Sequence, residues 1–218
     1  MAVDKHINFF EIEKAAEKPG CPLCRIVNDR ADWYIDNMLF EHISDRPFRA
    51  LHRAAGGFCS FHSRNLVSYR DGLAVAILSQ DILEDRIKAF EKGKFWSPKG
   101  HCPICEEQNR IEEEYLSFLA ASKGSSREEE ELKKIFIASD GLCAPHYAAL
   151  LFTSRGKSRA VPEWLREFHE SKYRDLLHRL RKFIELSAYG RQKEFSALSE
   201  KDQLVWKEAA AALRGTTR

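Results

Sequence analysis

The feature that most constrains the fold of this sequence is a set of six cysteines that recur in one pattern. A Cys-Pro-x-Cys motif is followed at a distance by a third cysteine, and a histidine stands three positions after that cysteine. The residues are Cys21, Cys24, Cys59 and His62 in the first occurrence, and Cys102, Cys105, Cys143 and His146 in the second. The first cysteines are 81 positions apart (21 to 102) and the histidines 84 (62 to 146), and no cysteine lies outside the pattern. This self-similarity indicates an internal duplication.

The duplication divides the chain of 218 residues into two halves. We predict an N-terminal helix and the first set of motifs in residues 1–92. We predict the second set of motifs and a C-terminal helix in residues 93–218. The segment 91–100 between them contains Gly93, Pro98 and Gly100, a composition typical of a linker.

The apolar residues recur with helical spacing throughout. Ile111, Tyr115, Phe118 and Leu119 share one helix face. A second stripe lies in the first half and a third lies late in the chain. The second consists of Leu73, Ile77, Leu83, Ile87 and Phe90, and the third of Trp164, Phe168, Leu176, Leu180, Phe183 and Ile184. No alternating run is long enough to indicate a sheet, so we predict an all-α fold.

Several helix ends can be predicted from side-chain chemistry. Ser126 and Glu129 form a capping box at the start of a helix that runs from Arg127 to about Ser139. The last helix is expected to start near Ser199 and to end at Gly215. This helix and an N-terminal one, from about Asn8 to Glu17, lie outside the duplication and are expected to cap its ends.

The cysteine motifs themselves are expected at helix N-termini. Pro22 and Pro103 suit the first turn of a helix, where the missing N–H has no partner to lose. The helix dipole and the free N–H groups at such an end stabilise a thiolate, which is the form that binds metal. We therefore predict two tandem copies of a helical metal-binding unit, packed with pseudo-twofold symmetry.

Three thiolates and one imidazole are a standard tetrahedral donor set for Zn²⁺. Four protein ligands close the coordination shell, so the two predicted zinc ions per chain would be structural. The sequence allows each CxxC to pair with the CxxH of its own half or with that of the other half. We expect pairing within a half, because shorter loops cost less entropy to close.

Two iron–sulfur clusters are the alternative, because histidine can replace cysteine as a cluster ligand. Such clusters would indicate electron transfer or redox sensing. Haem attachment is not expected, because Arg25 and Glu106, rather than histidines, follow the two CxxC motifs. His101 has no counterpart in the first half, where Gly20 stands, and is not expected to be a ligand.

Charge gives a weaker indication of partners. The segment 106–131 has 9 acidic and 3 basic residues, whereas 155–193 has 11 basic and 5 acidic ones. The basic segment would suit RNA or DNA. Two solvated helix faces explain the same counts and are the favoured interpretation. A protein partner is expected in preference to nucleic acid.

Other classes find no support in the sequence. No phosphate-binding loop, dinucleotide-binding or zinc-protease motif appears, so no enzyme activity and no catalytic residue are predicted. No apolar run approaches the roughly 20 residues that span a bilayer. The first residues lack the apolar stretch of a signal peptide, so a cytoplasmic location without a membrane is expected. Stable disulfides are unusual there, which favours metal binding by the cysteines.

The twin motifs resemble those of a prokaryotic domain-of-unknown-function family. The eight Cys and His residues named above carry the resemblance, which extends over almost the whole chain. It implies a cytoplasmic protein of similar length with the same duplicated ligands, and it implies no activity. The function expected from the sequence is thus a helical scaffold that two Cys₃His zinc sites support.

Overall fold

The computed structural model describes residues 6–69, 71–122, 126–152, 156 and 158–216. Over these ranges the chain is α-helical, apart from turns and one isolated bridge between Phe152 and Ser158. The prediction of an all-α fold is confirmed. None of the helices in the same ranges is both long and apolar enough to cross a membrane.

The helices have the same order in the two halves. A CPxC motif opens a long helix, a shorter helix leads to a Gly-x-Cys loop, and a short and then a long helix follow. The first half contains α1 (Ile7–Ala16), α2 (Pro22–Asn37), a π-helical turn (Met38–His42), α3 (Arg46–Ala55), α4 (Ser60–Ser68) and α5 (Gly72–Glu91). The second contains α6 (Pro103–Ala121), α7 (Arg127–Ala138), α8 (Ala144–Leu151), α9 (Glu163–Leu186), α10 (Gln192–Ser196), α11 (Glu200–Gln203) and α12 (Val205–Arg214).

The predicted helix ends are partly confirmed. Ser126 and Glu129 form both hydrogen bonds of the capping box at the start of α7. The C-terminal prediction is wrong at its start, because Ser199 caps only the four-residue α11 and a new helix begins after Leu204. Arg179 of α9 donates to the Lys201 carbonyl, which a continuous helix would use internally. Gly215 ends α12 as expected.

The described residues form two compact units that differ from the halves of the sequence. Unit 1 contains those of 1–26 and 112–217, and unit 2 contains those of 27–111. The helices α2 and α6 each begin in one unit and continue in the other. The predicted boundary between residues 92 and 93 falls inside unit 2, so the halves and the units divide the chain differently. The pseudo-twofold relation of the halves stays a prediction.

Unit 1 has an apolar core to which α1, α6, α7, α8 and α9 contribute. Its fully buried side chains include Phe9, Ile12, Leu116, Leu119, Leu132, Phe136 and Leu142. The helix α1 packs on α7, and α12 packs on α8 and α9. Trp164 donates its indole N–H to the Ser122 carbonyl at 3.1 Å. The chain ends of this unit are therefore held by ordinary helix packing.

Unit 2 combines an apolar cluster with an ion pair whose carboxylate, that of Asp81, is buried. The cluster consists of Ala31, Ile35, Met38, Phe48, Leu66, Leu78, Cys102 and Ile104. On α3, Arg49 donates to both carboxylate oxygens of Asp81 on α5, at 2.7 and 2.6 Å. Arg53 pairs with Asp85 one turn further along α5. Charged side chains therefore form much of the contact between α3 and α5.

Candidate metal centres

The structure gathers the eight predicted ligand residues into two groups of four. Site 1 consists of Cys21, Cys24, Cys143 and His146, and site 2 of Cys59, His62, Cys102 and Cys105. In each site, one donor atom from every residue lies within 4.8 Å of the other three. All of site 1 belongs to unit 1 and all of site 2 to unit 2. Both groups can hold a metal ion.

The expected pairing within each half is wrong. Cys21 and Cys24 lie beside the CxxH of the second half, and Cys24 and Cys143 are 119 residues apart in the sequence. The CxxH of the first half lies beside the CPxC of the second, and His62 and Cys102 are 40 residues apart. Loop entropy favours pairing within a half only weakly, because the free energy of closing a loop of 119 residues is only about 1 kcal/mol higher than that of closing one of about 38. Each CPxC also opens a stiff helix, and the 16 residues of α2 alone carry the chain about 24 Å away.

Helix N-termini hold all the ligands, as predicted. Cys21 and Cys102 stand just before α2 and α6, and their carbonyls accept the first hydrogen bonds of those helices, at 3.3 and 3.0 Å. Cys59 and Cys143 are the N-cap residues of α4 and α8. Each site thus lies at the positive ends of two helices, where a thiolate is stabilised.

Site 1 is almost completely enclosed. Cys24 and Cys143 are 0% and 1% exposed, and His146 is 2% exposed. The imidazole Nδ1 of His146 lies 3.4 Å from Sγ of Cys21, 3.4 Å from Sγ of Cys24 and 3.2 Å from Sγ of Cys143. The sulfurs of Cys24 and Cys143 are 3.6 Å apart. All four donors therefore point at one small volume.

Site 2 has the same geometry with more solvent access. Nδ1 of His62 lies 3.3 Å from Sγ of Cys59 and 3.4 Å from the sulfurs of both Cys102 and Cys105. The Cys59 and Cys105 sulfurs are 3.8 Å apart. His62 and Cys102 are buried, but Cys59 and Cys105 are only half-buried. Two of the three thiols in this site can thus be reached from solvent.

The thiols of each site differ in their readiness to ionise. Hydrogen bonds from Cys143 and Cys21 hold the pKa of Cys24 far below its ordinary value. Burial raises the pKa of Cys21 well above it. In site 2, burial raises the pKa of Cys105 to about 12. The pKa of Cys59 is lowered, because hydrogen bonds from the His62 N–H, the Cys105 thiol and the Phe61 N–H together outweigh its burial. One thiolate in each site is therefore favoured even without a metal.

Site 1 has further contacts that the sequence did not reveal. Glu112 Oε1 lies 3.6 Å from Nε2 of His146, where a carboxylate can orient a ligating imidazole. The Thr216 N–H donates to Sγ of Cys24 at 3.2 Å. Gly215 has a φ of +71°, and a Cβ there would lie 2.8 Å from Sγ of Cys143. The segment that follows α12 thus covers the sulfurs.

A histidine packs against the Gly-x-Cys loop of each site. His169 accepts the Leu142 N–H at Nε2 and bonds the Leu165 carbonyl through Nδ1, both at 2.8 Å. In unit 2, His52 is buried beside Gly57 and Phe58. Burial lowers the pKa of both imidazoles. The repeat pattern in the sequence does not relate these two histidines, because His52 precedes its loop and His169 follows its own. His101 is exposed and belongs to neither site.

Five of the six described arginines in the basic segment 155–193 form ion pairs. Arg155 and Lys157 lie outside the described residues. Pairs with acidic side chains are formed by Arg159, Arg166, Arg174, Arg179 and Arg191. Arg159 is the most enclosed of them and pairs with Glu113. Arg179 is nearly as enclosed and bonds both Asp202 and Glu208. This pairing favours the interpretation as solvated helix faces, and nucleic-acid binding stays a prediction.

Comparisons with known proteins agree with the resemblance seen in the sequence. Residues 5–99 match the model of a family of unknown function, DUF6062. An uncharacterised 23.9 kDa protein encoded in the xynA 3' region of Caldicellulosiruptor sp. (strain Rt8B.4) is 26% identical over 174 residues, which cover 78% of this chain and 83% of that protein. No solved structure matches. The family match ends before Cys102, so it contains half of the ligands of each site. The predicted resemblance to a family of unknown function is confirmed.

Proposed function

We propose that the protein is a helical scaffold in which each of the two sites binds one structural zinc ion. The observation that carries the proposal is the convergence of three sulfurs and one imidazole nitrogen in each unit, within 4.8 Å of one another. This is the donor set of a closed zinc site, which leaves no position for water or substrate.

The distances between donor atoms support a single tetrahedral ion. With Zn–S bonds of about 2.3 Å and Zn–N bonds of about 2.05 Å, a tetrahedron places sulfurs about 3.8 Å apart and sulfur and nitrogen about 3.5 Å apart. The sulfurs lie 3.6 and 3.8 Å apart, and sulfur and nitrogen 3.2–3.4 Å. A cluster would spread its ligands further, because several irons and sulfides lie between them.

A structural role follows from where the ligands sit. In site 1 a metal ion would join the start of α2 to the start of α8, which are more than 100 residues apart in the chain. In site 2 it would join α4 to α6. Metal affinity in such sites is folding free energy, because the unfolded chain has no preformed site. Six free thiols in these positions suit a reducing compartment such as the cytoplasm.

Metal analysis of the purified full-length chain tests the proposal. We expect a colourless protein with about two zinc ions per chain, and a cooperative loss of helix when a strong chelator removes them. Cys59→Ser should lower the content to about one zinc, and the matched control His101→Ala should keep two. A brown protein that contains iron and sulfide after anaerobic purification would overturn the assignment to zinc.

A further inference from the structure

The helix α5 packs on unit 2 with a face that differs from its most apolar one. An apolar stripe on a helix usually faces the core. Here the inward face carries Ala74, Leu78 and Asp81, and Asp81 is 2% exposed while it holds the guanidinium of Arg49. The predicted apolar stripe instead faces solvent. The ion pairs and the buried Leu78 hold the helix on its own unit, and four of its large apolar side chains are exposed.

The outward face has a regular heptad spacing, with alternating steps of three and four residues. The residues are Leu73, Ala76, Gln80, Leu83, Ile87 and Phe90, all exposed. The four large apolar members are exposed by 73% at Leu73, 59% at Leu83, 53% at Ile87 and 66% at Phe90. We call this set the α5 seam. A row of exposed large apolar side chains along one face of a described helix is characteristic of an interaction site.

The residue types of the α5 seam suit a pair of helices. In heptad terms, Leu73, Gln80 and Ile87 occupy a positions, and the other three residues occupy d positions. A β-branched residue at a with leucine at d, as in Ile87 and Leu83, favours two strands over three or four. A single polar residue at an a position, here Gln80, fixes the register of such a pair.

The flanking charges select the partner and its direction. Glu84 and Glu91 occupy e positions, and Arg86 occupies a g position. When two copies of α5 lie parallel, Arg86 of each copy faces Glu91 of the other, because g pairs with the following e. In an antiparallel pair the e-position glutamates face each other and repel. The inward residues Ala74, Leu78 and Asp81 lie at b and f positions, opposite the α5 seam, so unit 2 does not block it.

We propose that a second copy of this chain binds along the α5 seam, so that the two α5 helices form a short parallel pair. This inference rests on the scaffold role proposed above, since it names the partner of that scaffold, but it does not depend on which metal the sites hold. Two copies related by a twofold axis along the helix pair would contribute the same patch to the contact.

Sedimentation velocity of the full-length chain, from about 1 to about 200 μM, tests the inference. We expect a concentration-dependent dimer. Ile87→Glu should weaken it at least tenfold, because it places a charge in the centre of the apolar contact. Ile184→Glu is the matched control, since Ile184 is also an exposed isoleucine, at 67% against 53% for Ile87, and lies on α9. This control should leave the dimer unchanged.

A charge exchange tests the direction of the helices. Arg86→Glu should weaken the dimer, and the double variant Arg86→Glu with Glu91→Arg should restore it, because the pair of g and e charges is rebuilt in reverse. Glu91→Arg alone distinguishes the two directions. It should weaken a parallel pair, where two positive charges would meet at Arg86, and strengthen an antiparallel pair, where the new positive charge would meet Glu84. A dimer strengthened by Glu91→Arg would therefore overturn the parallel arrangement.

A protein that stays monomeric at every concentration would overturn the inference, and so would a dimer that Ile87→Glu and Ile184→Glu affect equally. Metal content is measured on the same samples. A monomer with two zinc ions would refute the helix pair and leave the zinc sites standing. A dimer that contains no zinc would support the helix pair and refute the zinc sites.

Discussion

Sites 1 and 2 have the same four donors at the same kind of helix end, yet their surroundings differ. In site 1 the sulfurs of Cys24 and Cys143 are sealed from solvent, and the backbone at Gly215 and Thr216 closes over them. In site 2, Cys59 and Cys105 are half-buried. The motif therefore determines which atoms can bind a metal, whereas segments far from it in sequence determine how well the site is protected.

The largest effect on stability is expected when ligands of site 1 are removed, and this experiment tests whether the two sites bind metal separately. Cys143→Ser should remove one metal ion and destabilise unit 1 by more than about 4 kcal/mol, because site affinity is folding energy. Adding Cys24→Ser should cost little more, since both residues serve site 1. Metal content and hydrogen exchange of each unit would measure this.

The control for that experiment is a pair of residues from different sites. Cys24→Ser combined with Cys59→Ser should remove both metal ions and expose amides in both units. Pairing within each half predicts the opposite result. Cys24→Ser with Cys59→Ser would then remove only one metal ion, and Cys24→Ser with Cys143→Ser would remove two.

A smaller effect is expected from the cover on site 1. Gly215→Ala should destabilise the protein by about 3 kcal/mol, because a Cβ at φ +71° is strained and would also strike Sγ of Cys143. Gly190→Ala is the control, since its φ is +88° with no heavy atom within 4 Å of the added Cβ. Thermal melting that fell equally in both variants would show that strain alone acts.

The α3–α5 ion pair should support unit 2 but not unit 1. Asp81→Asn should cost about 2 kcal/mol, the range for hydrogen bonds to a charged group. Hydrogen bonds from Arg49 lower the pKa of Asp81 below its ordinary 3.8. Its contribution is therefore complete above the unfolded pKa of about 3.9, and it disappears as pH falls through the folded value.

Unfolding of the wild type and of Asp81→Asn from pH 7 to pH 2 would measure this dependence. The two proteins are compared at matched metal content, because protonated thiols release zinc as the pH falls. The difference between the wild type and Asp81→Asn should shrink steadily below about pH 4. A difference that stayed constant over this range would mean that the Asp81 charge does not stabilise the fold.

The smallest expected effect is a difference between the two sites in how fast their cysteines react with a thiol reagent. A thiol reagent should modify Cys59 or Cys105 about tenfold faster than any cysteine of site 1, a difference of about 1.4 kcal/mol in the opening free energy. Mass spectrometry of partly modified protein would identify the sites. Equal rates would show that both sites open together and would remove the distinction between them.

The sequence was sufficient for features with a local cause. Ser126 begins a helix because its hydroxyl and Glu129 satisfy free N–H groups, and the proline of each CPxC suits a first turn. The eight donors were found for the same reason, since each pair is held within a single helical turn.

Features that depend on distant segments could not be predicted. The pairing of the motifs depends on which way the stiff α2 and α6 run, and the entropy difference of about 1 kcal/mol could not decide it. The outward direction of Leu83 and Ile87 follows from ion pairs between Asp81 and an arginine 32 residues earlier. The contact of Thr216 with Cys24 spans 192 residues and leaves no periodic signal.

The exchanged pairing nests one site within the other along the chain, and this has a consequence during synthesis. At about 5 to 20 residues per second, the ribosome finishes the ligands of site 2 when it passes Cys105, roughly 2 to 8 seconds before it reaches His146. Cys21 and Cys24 are synthesised first, but site 1 is not complete until Cys143 and His146 have been added. At the same rate, about 6 to 25 seconds separate the synthesis of Cys21 from that of His146, so site 1 is completed over a longer interval than site 2.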